Sequence, residues 1–248
     1  MKKIFAICLI CIVSTANANW TQLPEAHGWN VGFDYLATQG RIADNWLAAT
    51  TAAVTDIRLW VSWQGDDVSQ FLSLDIAIQE DVPYNPSTGN PSKPGSIKWS
   101  RSISSVEMTP YGTGDEGFFV PFSASGFSSI PIAHDSNTIY QIDISDIETP
   151  FTQEAGKVYW LSISASYVAT GLEGEYVHPG WVTSANPSLP GAAYVDGGWL
   201  PLAYPDPSPS GSEPRHGQPI NLAFEIVPEP ATICLLGIGA LSLINRKK

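Results

Sequence analysis

The chain has 248 residues, 44% of them hydrophobic, 11% aromatic and only 15% charged, with 20 Pro and 21 Gly. Such a composition excludes a disordered chain and supplies enough apolar material for one large β domain or two small ones. The formal net charge of −12 argues against nucleic acid as a partner, because phosphate binding needs clustered Lys and Arg.

Residues 1–18 read MKKIFAICLICIVSTANA: two lysines, an apolar run over 4–13, then the small-x-small pattern at Ala16 and Ala18 that signal peptidase accepts. Cleavage after Ala18 is the simplest expectation. A lipoprotein signal is the rival, but Cys8 and Cys11 each follow Ile where a small residue belongs.

From Trp29 onward, period-two alternation recurs between turn clusters. Residues 54–63 (VTDIRLWVSW) put Ile57, Leu59, Val61 and Trp63 on one face, with Asp56, Arg58, Trp60 and Ser62 on the other. Strands of the same kind are expected at 71–80, 97–103, 140–145, 158–168 and 220–226. The pattern also allows a short helix at 44–53, whereas nothing sustains a long 3.6-residue period. Short strands between Gly, Pro, Asn, Asp and Ser clusters point to an all-β fold: an antiparallel, jelly-roll-like β-sandwich with long Pro/Gly/Ser loops. The stretches 84–95 (YNPSTGNPSKPG) and 205–219 (PDPSPSGSEPRHGQP) are expected to be loops inside one domain. A linker at 205–219 would leave the strand at 220–227 stranded beside the terminal segment.

That segment follows at once. Pro228-Glu229-Pro230 precedes an apolar run over 231–244, closed by Asn245-Arg246-Lys247-Lys248. Fourteen residues span about 21 Å as a helix, against about 30 Å of bilayer core. A short membrane helix is therefore expected, oriented C-in by its basic end. The division is 1–18 signal peptide, 19–227 extracellular β domain and 228–248 terminal signal. Cys8, Cys11 and Cys234 all fall in the outer segments, so 19–227 has no disulfide, thiol or zinc-thiolate chemistry. That central stretch carries 7 basic and 23 acidic residues, net −16, which repels anionic polymers.

The triplet, the short apolar helix and the basic tail together resemble the PEP-CTERM sorting signal of bacterial surface proteins. The resemblance implies an exosortase as processing partner, with Pro228, Glu229 and Pro230 as recognition motif and Arg246, Lys247 and Lys248 as basic tail. It also implies the envelope, surface or extracellular matrix of a Gram-negative-type bacterium, in company with exopolysaccharide. A second resemblance covers most of 29–227. The runs RIADNWL (41–47), VTDIRLWVSW (54–63), DVP (81–83), GWLPL (198–202) and INLAF (220–224) are similar to a secreted domain recurring in PEP-CTERM proteins of planctomycetes and related bacteria. It carries over no catalytic residue.

Catalytic constellations are mostly absent: there is no Gly-x-Ser-x-Gly, His-Glu-x-x-His, P-loop or EF-hand pattern. His27, His134, His178 and His216 read as scattered surface histidines. Acidic pairs at Asp66-Asp67, Glu80-Asp81, Asp115-Glu116 and Glu173 with Glu175 read first as solvated turns. Asp66, Asp67, Asp115 and Glu116 also offer oxygen ligands for calcium, the one cofactor considered, and paired carboxylates suit glycoside hydrolysis. Trp60, Trp181 and Trp199 are candidate sugar-stacking platforms, set against the plainer reading of core packing. The expectation is a non-enzymatic exported surface or matrix protein associated with exopolysaccharide. A carbohydrate-binding module is the first alternative and a glycoside-active enzyme the second.

Overall fold

A computed structural model describes residues 19–33, 41–121, 131–168, 177–185, 189, 191–195, 198–206 and 213–229. Fifteen strands lie there in two sheets, with a single 3-10 turn at Gln64–Asp66 and no α-helix among the described residues. The helix allowed at 44–53 is instead the end of one strand (Ile42–Leu47), a short connection and the start of the next (Ala52–Trp63), each paired with neighbouring strands. The expected terminal helix at 231–244 lies outside the described residues.

The six-stranded sheet uses β3 (Ile42–Leu47), β5 (Phe71–Val82), β6 (Lys93–Ile103), β10 (Val158–Tyr167), β12 (Ala193–Val195) and β13 (Trp199–Pro201). Its order is β13-β12-β3-β10-β5-β6, antiparallel throughout. The nine-stranded sheet contains β1 (Trp20–Gln22), β2 (Trp29–Gly32), β4 (Ala52–Trp63), β7 (Thr109–Phe119), β8 (Ile132–Ile144), β9 (Thr152–Gln153), β11 (Pro179–Ser184), β14 (Asn221–Leu222) and β15 (Phe224–Pro228). Its order is β1-β15-β4-β8-β7-β2-β11-β14, with β9 on the start of β4. Two features depart from a purely antiparallel sandwich. The β2–β7 pair is parallel, and β11 also pairs with β4, so that β4-β8-β7-β2-β11 closes into a five-stranded ring.

The alternation read in residues 54–63 sends Ile57, Leu59, Val61 and Trp63 into a core shared by both sheets. Ile42 and Trp46 of β3, Leu74 and Ile76 of β5, and Leu161 and Ile163 of β10 meet them from the other sheet. Trp46 is fully buried; its indole N–H donates to Gln153 Oε1 at 3.1 Å and its ring packs beside Tyr159 and Phe224.

The opposite face of β4 is buried as well from Trp60 onward, because ring closure turns it into a lumen, while Arg58 on the same face stays half-exposed. Trp60, Ile139 and Val182 pack there with Ala223. A ring of five strands leaves little room for side chains. Gly32 and Gly180 line it for that reason: a Cβ on Gly32 would come within 2.6 Å of Phe118 Cζ, and one on Gly180 within 2.8 Å of Asn30 Cβ.

A strand fork joins ring and sheet. β4 pairs with β15 through Leu59 and with β11 from Val61; β11 in turn pairs with β14 at Thr183 and Ser184. The chain therefore crosses from β11 to β4 at Ala223, where the ladder breaks. Two side chains take up the displaced backbone groups. Asp44 Oδ2 accepts the Leu222 N–H at 2.7 Å, and the Trp181 indole N–H donates to Ala223 O at 2.7 Å. The Asn45 N–H donates to Asp44 Oδ1, and Gln22 Nε2 donates to Oδ2.

The stretch 205–219 is closed by its ends. Ala203 bridges Pro219, Tyr204 N–H donates to Gln218 O, and Gly217 N–H donates to Tyr204 O. Arg215 lies over the Tyr204 ring at 4.1 Å and pairs with Glu25 at 2.7 Å and Glu213 at 3.0 Å. The Trp29 indole N–H donates to Glu213.

Two measurements test this arrangement. Gly180→Val is expected to lower stability by about 1–3 kcal/mol in urea titration through overpacking of the lumen. Burial pushes the Asp44 carboxyl up to about 7, against the lowering influence of its three N–H donors. The folded state thus holds a proton that the unfolded chain gives up near pH 4, so stability should fall as pH rises from about 4 to 7. Asp44→Asn should flatten that fall, leaving the same-signed contribution of Glu116, whose carboxyl burial also raises to about 7.

Candidate functional site

The terminal signal is not joined to the domain by a linker. β15 runs between β1 and β4, with Phe224 opposite Leu59, Ile226 opposite Ile57 and Val227 opposite Asp56. A register shift follows, so that Pro228 lies opposite Val54. Proline has no N–H to donate and is tolerated in a ladder at such irregularities. Thr55 Oγ1 donates to Val227 O at 3.2 Å across the shift, and the Glu229 N–H donates to Ala53 O at 2.6 Å. Pro228 is buried and Glu229 half-buried, so two residues of the motif belong to the sheet. Pro230, Arg246, Lys247 and Lys248 lie outside the described residues, as do Ala16 and Ala18 at the signal cleavage site.

On its other edge β15 carries β1, with Trp20 opposite Ile226 and Gln22 opposite Phe224. Glu225 fastens the three strands. Its Oε1 accepts Asn19 Nδ2 at 3.0 Å and Thr21 Oγ1 at 3.2 Å, while Oε2 pairs with Arg58 of β4 at 2.6 Å. Arg58 also pairs with Asp143 of β8 at 2.7 Å, and these carboxylates, Asp143 foremost, hold its guanidinium above its ordinary value.

Two of the three candidate platforms lie in the core, the plainer of the two readings. Trp60 is 1% exposed within the ring, with Tyr111 edge-on at 5.4 Å, and Trp181 is fully buried at the strand fork. Neither indole presents a face to a ligand. Trp199 is half-buried, packed on the Ala43, Trp160 and Ala193 cluster of the six-stranded sheet.

The calcium candidates are likewise engaged within the protein. Asp66 accepts the backbone N–H groups of Asn137 and Thr138 and the Asn137 side-chain amide at 2.9–3.0 Å. Burial would raise its carboxyl, but Asn137 and Thr138 bring it below the usual value. Asp67 follows the 3-10 turn, its N–H donating to Gln64 O. Asp115 pairs with His134 at 2.8 Å. Glu116 points into the ring, where Ser62 Oγ donates to its Oε2 at 2.6 Å and Asn30 Nδ2 at 3.1 Å. Among the described residues no group of three or more His, Cys, Asp or Glu side chains converges as a metal site. Glu173 and Glu175 lie outside the described residues. His178 is also more than a surface group: its ring stacks on Phe118, and Tyr167 Oη lies 2.5 Å from its Nδ1.

One cleft lacks any sequence signal strong enough to have marked it. A cavity of about 540 Å³ opens between β5, β6 and the β9–β10 segment, lined by Glu80, Asp81, Lys98, Phe151, Glu154 and Lys157 among others, with Tyr159 at its wall. Lys98 pairs with Glu80 at 2.6 Å and Lys157 with Glu154 at 2.8 Å. Phe151 and Tyr159 meet edge to face at 5.0 Å. Only the pair Glu80-Asp81 was visible beforehand; the partners come from three other strands and a loop.

A β domain whose last strand runs directly into Pro-Glu-Pro is an exported protein destined for the cell envelope or surface and sorted by an exosortase: residues 227–248 match the PEP-CTERM protein-sorting motif. Residues 18–227 match the family described as Domain of unknown function (DUF7901), and the chain belongs to that family. The two matches meet at Val227, inside β15. No curated protein matches the chain, and no solved structure does.

Removing the Glu225 carboxylate should free β1 while leaving the core intact. For Glu225→Ala, hydrogen exchange at the backbone amides of Trp20–Gln22 is expected to quicken, with protection in β4 and β10 unchanged.

Proposed function

We propose that this is a non-enzymatic component of the bacterial surface or extracellular matrix, associated with exopolysaccharide. A signal peptidase removes residues 1–18, the segment 231–244 holds the chain in the membrane as a short helix, and the exosortase then removes it. The observation that carries the sorting part is the junction itself, where the folded domain ends and the motif begins within one strand.

The charged cleft supports the polysaccharide part. Lys98 and Lys157 offer donors, Glu80, Asp81 and Glu154 offer acceptors, and Phe151 and Tyr159 offer aromatic carbon to sugar C–H faces. The excess of acidic residues favours a neutral or cationic polymer over an anionic one. A non-enzymatic role is supported at the cleft by the state of Glu80. Hydrolysis needs a carboxyl raised enough to donate a proton beside a second, ionised one. In the cleft, hydrogen bonds from Lys98 and Ser96 hold Glu80 below its ordinary value. The strongly raised carboxyls, Asp44 and Glu116, are sealed from solvent.

Two outcomes are expected. Mass spectrometry of the mature protein from an exosortase-bearing host should show a C-terminus before residue 231, and Glu229→Lys should leave the tail attached. Affinity electrophoresis in the host's own exopolysaccharide should retard the domain, and Phe151→Ala with Lys157→Ala should remove most of the retardation. Equal mobility with and without the polymer would sink the polysaccharide reading while leaving the sorting reading standing.

A further inference from the structure

We propose that the cleft between β5, β6 and the β9–β10 segment holds the acetamido group of a 2-acetamido sugar, with Tyr159 as the residue that reads its carbonyl. This names the ligand class of the cleft and rests on the reading that the domain associates with exopolysaccharide.

The observation that carries it is a buried hydroxyl with half of its hydrogen bonding unused. Tyr159 is 5% exposed, its ring set beside Trp46 at 5.5 Å and Phe151 at 5.0 Å. Its Oη accepts the Glu154 N–H at 3.1 Å, but the hydroxyl proton has no acceptor among the described residues. A phenol is donor and acceptor at once, and a buried one ordinarily finds a partner. Tyr159 lines the cleft, so an oxygen of a bound ligand is in position to take that proton.

The complementary group lies beside it. Glu154 Oε2 pairs with Lys157 at 2.8 Å, which leaves Oε1 without a donor among the described residues. The turn that carries Glu154 is fixed by its backbone. Gly156 takes a φ of 79° and donates its N–H to Ala48 O at 2.8 Å, while Lys157 O accepts the Ala48 N–H at 2.9 Å. Phe151 adds a half-buried apolar wall. The cleft therefore offers one buried donor, one carboxylate acceptor and one aromatic surface.

An acetamido group uses all three. Its carbonyl oxygen accepts from Tyr159 Oη, its N–H donates to Glu154 Oε1, and its methyl lies on the Phe151 ring. A sugar bearing only hydroxyls has no methyl for Phe151, and a free amino sugar has no carbonyl for Tyr159. Lys98 is matched by Glu80 at 2.6 Å and Lys157 by Glu154, so neither lysine selects an anionic ligand.

The test uses protein purified from an exosortase-bearing host and three tetrasaccharides, of N-acetylglucosamine, glucosamine and glucose, titrated by calorimetry. The N-acetylated oligomer is expected to bind roughly tenfold tighter than either of the others, the value of about one hydrogen bond. Tyr159→Phe keeps the ring and should remove most of that preference without weakening binding of the glucose oligomer. Saturation-transfer NMR on the wild type gives a measurement that does not depend on a variant folding: the acetyl methyl should receive more saturation than the sugar-ring protons. Equal affinity for the three oligomers, binding of none of them, or a methyl signal no stronger than the ring signals would overturn the acetamido assignment. A preference left intact in Tyr159→Phe would overturn the role of Tyr159. Failure of the host's own exopolysaccharide to retard the protein would instead defeat the underlying reading.

Discussion

A buried carboxyl group, that of Asp44, fastens the point where this fold changes strand partners. The chain has to leave β11 and join β4 at Ala223, and a strand that changes partners strands a backbone N–H where no water can reach it. An unpaired buried N–H costs about 1–3 kcal/mol. Asp44 answers that need from the facing sheet, and Gln22 of β1 reaches the same oxygen. The two sheets are thereby registered against each other by a polar contact, since apolar packing alone has no direction. Asp44 carries the cost of its own desolvation, visible in its raised carboxyl pKa.

Ring closure is the second consequence of the same fork. Once β11 joins β4, the outward face of β4 becomes interior from Trp60 onward, and the residues there behave as core. Trp60 packs with Val182 and Ala223, while Ser62, Asn30 and Glu116 form a buried hydrogen-bonded group instead of a solvated face. Glycines at 32 and 180 give the space that side chains there would need. A chain with few charges and no disulfide in its central domain is consistent with this economy: both faces of β4 are used for packing over its last residues.

The fork also decides how the domain meets its sorting signal. By passing from β14 into β15 the chain finishes inside the sheet, between β1 and β4, and carries Pro228 and Glu229 with it. Both chain ends leave side by side, and Glu225 ties them to Arg58. The first two residues of the matched sorting motif after Val227 are thus held against β4 by the same sheet.

Much of this was legible in the residues. Hydrophobic alternation marked β4, β5 and β10 because one face of each is buried whatever its neighbours are, and the terminal segments announced themselves by local composition and by the Pro-Glu-Pro triplet. Trp60, Trp181 and Glu116 are buried for one reason. Alternation reports that faces differ; it cannot report that a second face is later covered. That depends on β2 pairing with β7 across some ninety residues and on β11 returning to β4, contacts without any local signature. The cleft of Glu80, Lys98, Phe151 and Lys157 was hidden likewise, since its walls come from separate strands. Sequence alone determined the all-β class, strands such as β4, β5 and β10, and the destination, because these follow from short-range pattern. Only tertiary pairing decided which polar groups are buried, where the cleft opens and how Pro228 joins the sheet, because these depend on strands far apart in sequence.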